Sequence, residues 1–112
     1  MSSHRSYNLY LNDILESIEK ILEYTEGIDF DEFCEDSMVF DAVIRNFEII
    51  GEAARNIPDN LRLTFSHIPW ADMVGMRNIL IHGYFGVDYS IVWNTIGLLS
   101  KLKTEIAHIL IV

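Results

Sequence analysis

The 112-residue chain has one cysteine, two prolines and six glycines. A single thiol forms no intrachain disulfide, so Cys34 points to a reducing setting and a cytoplasmic protein. With so little proline and glycine, the turn punctuation that a chain of many short strands requires is missing. No apolar run reaches the length of a membrane span, and the opening MSSHRSYNLYLND has no apolar signal core. Neither a membrane partner nor export is therefore expected. There is no glycine-rich phosphate loop, no His-x-x-x-His pair, no cysteine cluster and no nucleophile elbow. Nothing in the pattern asks for a cofactor or a metal.

Basic residues are also scarce, eight against seventeen acids, and unevenly placed. Residues 1–41 hold eleven acids against Arg5 and Lys20, whereas residues 42–112 hold six of each sign. A broad phosphate-binding surface is excluded, and with it DNA binding, but a local basic site in the neutral part is not.

What the chain does have is apolar periodicity. Half of its residues are hydrophobic, and its length suits one domain over residues 1–112. Leu11, Ile14, Leu15, Ile18, Ile21, Leu22 and Thr25 recur at three- and four-residue steps, which predicts a first amphipathic helix ended by Gly27. DFDEFCED (29–36) lacks the glycine and ligand order of a calcium loop and reads as a solvated acidic connection. A second helix, capped by Asp36 or Ser37, runs through Met38, Ala42, Ile44, Phe47, Ile50, Ala53, Ala54 and Ile57 to Pro58. PDNLRLTFSHIP predicts a short helix that ends before Pro69, and a third long helix follows, with Gly83 and Gly86 as stop signals. Asp88 then caps one final helix with Val92, Ile96, Leu99, Leu102, Ile106 and Ile109 on one face. The expectation is all-α, a helical bundle whose short connections make neighbouring helices antiparallel.

RNILIHGYF (77–85) gathers Arg77, Asn78, His82 and Tyr84 in one stretch. An arginine with a histidine five places later is a frequent coincidence, and Arg62 with His67 repeats the spacing. Context separates the two pairs, because His67 stands where the chain leaves a helix at Ile68-Pro69. At roughly 100° per residue, Arg77 and His82 lie about 140° apart on a helix, too far round to grip one atom. Either the helix loosens near Gly83 or a two-fold copy supplies the partner. His4 falls on a polar end, and His108 sits among IAHILIV as a boundary or core residue. Arg45 and Glu52, seven apart on one face, read as a buried or interfacial charge pair.

RNILIHGY resembles the Arg-x4-His-x-Tyr motif of the HepT-type toxins, a branch of the HEPN ribonuclease superfamily. DAVIRNFEIIGEAARNIP (41–58) resembles the family's second helix with its Gly-Glu-Ala signature, and residues 69–96 its third helix and the entry to the last. The resemblance implies a homodimeric, metal-independent endoribonuclease with no cofactor, the toxin of a type VII toxin–antitoxin pair. Its RNA substrate would be mRNA or tRNA. Arg77 and His82 fall on the catalytic positions, Asn78 on the supporting polar position, and Tyr84 on the tyrosine to which an MntA-type nucleotidyltransferase antitoxin attaches AMP. The chemistry is coherent by itself. RNA brings its own nucleophile, the 2′-OH, so the protein need only move protons, as a histidine with a pKa of about 6.5 can. An arginine fork meets the charge that builds on the phosphoryl oxygens. The alternative is a non-catalytic helical module that binds a partner or a nucleotide through the same residues.

Overall fold

A computed structural model describes the backbone of residues 2–82 and 87–111 and the side chains of residues 7–81 and 87–110. All regular structure among them is helical: α1 (Ser2–Thr25), α2 (Phe30–Glu35), α3 (Ser37–Arg55), α4 (Asp59–Thr64), α5 (Trp70–His82), α6 (Tyr89–Ile96) and α7 (Leu99–Ile111). None of these helices is long and apolar enough to cross a membrane. The all-α bundle expected from the periodicity is the fold.

The stripe of α1 buries as its spacing requires, with Leu11, Ile14, Ile18 and Ile21 all at 0% exposure. The Thr25 hydroxyl closes the last turn by donating to the Ile21 carbonyl at 2.8 Å, and Gly27 turns the chain away at φ 77°. Asp36 caps α3, its carboxylate accepting from the Val39 N–H at 3.1 Å. α3 is the central element, packed on α1 along one side and on α5 along another, while α1 also packs on α7. Tyr10 and Asp13 of α1 share a cleft with Glu52 and Asn56 near the end of α3. Early in α5 Met73 shares a cavity with Ile50, and late in α5 Ile81 lines the same cleft as Arg45 and Glu48. Both neighbours of α3 therefore run antiparallel to it.

Two expectations fail. The acidic stretch 29–36 is not a plain connection but carries α2, started by a reciprocal capping box. Asp29 accepts from the Glu32 N–H at 2.9 Å, and Glu32 accepts from the Asp29 N–H at 3.0 Å. α2 delivers Phe33, fully buried, into an aromatic cluster with Phe40 (5.7 Å) and Trp93 (5.1 Å), and Phe40 stacks on Tyr89 at 4.2 Å. The final helix, expected as one, breaks at Gly97 and Leu98 into α6 and α7. All six residues of its apolar face stay buried across the break, whereas Leu98 is 69% exposed. At the start of α3 Met38 is exposed. The stop signals Gly83 and Gly86 lie outside the described residues.

Candidate active site

Arg77 leaves α5 against α3, at the one place where α3 has no side chain. A Cβ added to Gly51 would run into the Arg77 Cβ and come within 2.8 Å of the Met73 carbonyl oxygen. Glycine inside a helix costs about 1 kcal/mol relative to alanine. Here the cost admits the stem of an arginine between two helices.

The head of Arg77 is held as closely as its stem. Nε lies 3.0 Å from Glu52 Oε2, and Nη1 donates to Asn78 Oδ1 at 3.2 Å. The side chain is 21% exposed, so most of its length is covered by protein. It borders a cleft of about 330 Å³ lined by Tyr10, Asp13, Arg45, Glu48, Asn56 and Ile81, besides Glu52 and Arg77. Two arginines and three carboxylates thus line one hollow, beside the apolar Ile49, Ala53 and Ile81. An anion entering it meets a preset fork, because a guanidinium offers donors in fixed geometry and needs little reorganisation.

The pairing expected between Arg45 and Glu52 is replaced. Arg45 lies 3.6 Å from Glu48 one turn along α3, and Glu52 reaches across to Arg77, with Arg55 at a looser 3.9 Å. The closer contact wins, and it is an inter-helix one that positions along α3 alone could not reveal. Glu52 and Gly51 are the functional candidates whose role the sequence left open. The available signal was a glycine in a helix interior, which marks a close approach.

His82 is the last residue of α5, and helical geometry sends it about 140° round from Arg77. Its side chain, like the whole of Tyr84, lies outside the described residues. The look-alike pair is spoken for. Arg62 Nη2 donates to the Ala54 carbonyl at 2.7 Å and Nε to the Ile57 carbonyl at 3.2 Å, tying α4 to the end of α3. His67 lies 3.8 Å from Glu105 of α7. His108 is exposed. Among the described residues no three His, Cys, Asp or Glu side chains converge as metal ligands.

A family model described as "Ribonuclease HepT-like" matches residues 14–109. "Putative RNase MJ1380" of Methanocaldococcus jannaschii is 47% identical over 105 residues, covering 93% of this chain and 96% of that one. "Probable ribonuclease HepT" of Thermococcus cleftensis is 49% identical over 92 residues, 82% of this chain and 84% of that one. No solved structure matches. Since the matched region runs from α1 to α7 and contains Gly51, Glu52, Arg77, Asn78 and His82, the chain belongs to the ribonuclease HepT-like family.

Proposed function

We propose that this protein is a metal-independent endoribonuclease, the toxic partner of a toxin–antitoxin pair. The observation that carries the reading is Arg77, pinned by Gly51, Glu52 and Asn78 beside a cleft that also holds Arg45, in a chain of a ribonuclease family. His82 takes the proton of the RNA 2′-OH, whose oxygen attacks the adjacent phosphorus. The 5′-oxygen leaves with a proton from the protonated histidine of a second copy or from water, giving a 2′,3′-cyclic phosphate and a 5′-OH end. Arg77 neutralises the phosphoryl oxygens as their charge rises. Asn78 keeps the guanidinium in place.

The reactive unit is a homodimer in this reading. Positions 77 and 82 lie about 140° apart on an ideal helix, and a second copy would bring another histidine to the cleft. Ile79 of α5 and Ile91 of α6, at 61% and 57% exposure and lining one shallow hollow, supply apolar surface for that contact. Control is exerted at Tyr84. A nucleotidyltransferase antitoxin lets the phenol oxygen attack the α-phosphate of ATP, pyrophosphate leaves, and the bound AMP sets a negative charge two residues from His82.

Incubating the purified protein with total RNA in EDTA and mapping the ends tests the chemistry. Cyclic phosphate ends are expected. Cleavage that needs an added divalent ion defeats the proposed mechanism, and RNA binding without cleavage returns the chain to a non-catalytic module. For control, mass spectrometry of the co-expressed pair should place the added mass on the peptide with Tyr84, and Tyr84→Phe should escape silencing.

A further inference from the structure

We propose that Glu52 is the positioning residue of the ribonuclease site, its carboxylate fixing the plane in which Arg77 meets the scissile phosphate; this rests on the functional reading above. An arginine has a long, freely turning stem, and a fork that must face one phosphate gains only if that freedom is already spent. Arg77 is held at three points along its length. The root lies against Gly51, where any side chain would collide with its Cβ and leave its Cγ 3.1 Å away. The middle is held through Nε by Glu52 at 3.0 Å. The tip is held through Nη1 by Asn78 at 3.2 Å.

The identity of the holder follows from its chemistry and its place. A carboxylate acceptor on Nε–H directs the guanidinium plane better than a neutral group, since charge-assisted bonds are shorter and stronger. Glu52 comes from α3 and not from α5, so the orientation of Arg77 is set by the packing of two helices. Gly51 and Glu52 are adjacent and act on the same side chain: one makes room for the stem, the other takes hold of the head. The nearest competitor for Glu52, Arg55, stands at 3.9 Å and is more exposed than Arg77. A carboxylate beside a phosphate-binding arginine carries a cost in RNA affinity, and that cost gives the proposal its signature.

Removing the carboxylate should lower turnover while leaving RNA binding equal or tighter. Glu52→Ala is expected to reduce kcat about 10- to 100-fold with KM unchanged or lower, the scale of a misplaced reacting group. Glu52→Gln should lose less, because its amide oxygen still accepts from Nε–H. Glu52 is about half exposed, so both variants should fold. A kcat that holds or rises in Glu52→Ala overturns the proposal, for Glu52 would then restrain Arg77. A second arm reads the contact without RNA. The Arg77 Nε–H resonance should exchange slowly with solvent in the unaltered protein and faster in Glu52→Ala and Gly51→Ala. Equal exchange in all three overturns the proposal even if the protein cuts RNA. Slow exchange in an unaltered protein that cuts no RNA instead removes the ribonuclease reading, and the catalytic meaning of the contact with it.

Discussion

Arg77 and Arg62 carry the same guanidinium, and each precedes a histidine by five residues, yet the helices around them give them different work. Arg62 has both of its bonds committed to carbonyls at the end of α3. Arg62→Ala should therefore lower stability by about 2 kcal/mol, the scale of hydrogen bonds to a charged donor. Urea unfolding checks this, with cleavage per folded molecule unchanged. Arg77→Ala and His82→Ala should leave the fold and remove cleavage, by about 10²–10³-fold for the charge-stabilising donor and 10²–10⁴-fold for the proton carrier. His67→Ala should keep activity in the same RNA assay, and equal damage there would erase the distinction between the two pairs. The motif residues were legible as a group because four polar side chains interrupt an apolar stretch. The partner of Arg77 was not: Glu52 lies 25 positions away, and seven-residue spacing on α3 favoured Arg45 instead.

At the scale of elements, periodicity gave α1 because a buried stripe of Leu and Ile leaves a regular mark. A largely apolar run between Asp36 and Pro58 gave α3, and Pro69 with the glycines beyond His82 gave α5. α2 left a fainter mark. Its capping box, Asp29 with Glu32, was spelled out but submerged among other acids, and a six-residue helix shows one apolar turn only. Phe33→Ala should show that this turn belongs to the core: emptying a fully buried aromatic site costs about 3–5 kcal/mol, measurable as a fall in the urea midpoint. The break at Gly97 escaped notice because Ile96 and Leu99 keep a three-residue step, so the face reads as continuous whether or not the helix does. α6 also carries a pH dependence. Hydrogen bonds from the Ser90 hydroxyl and N–H to Asp88 hold its carboxyl below the usual aspartate range. A depressed folded pKa stabilises above the ordinary pKa and loses that contribution as pH falls through the lowered value. The start of α6 should loosen only in acid, and Ser90→Ala should move that loosening to higher pH, as followed by amide exchange at Ile91 and Val92.

For the molecule as a whole, Ile79 of α5 and Ile91 of α6 are exposed apolar side chains that line one hollow. Ile79→Lys, at an outward position, should preserve the helical spectrum, yield a monomer in sedimentation and remove cleavage. A catalytically competent monomer would show that one chain carries the complete site. The cleft beside Arg77 has its own consequence for the way RNA is met. Arg45 and Arg77 are opposed there by Asp13, Glu48 and Glu52, so on the proposed reading few condensed ions should leave an RNA that docks there. Each neutralised phosphate on a single strand contributes a slope of about 0.7 in log affinity against log salt, and two arginines give a shallow line. Long-range attraction is correspondingly weak, since the acids of α1 and α2 repel the same polymer. If the cleft is the ribonuclease site, choice among RNAs should fall to the shape of an exposed strand and to stacking, with charge deciding little until the phosphate has already arrived.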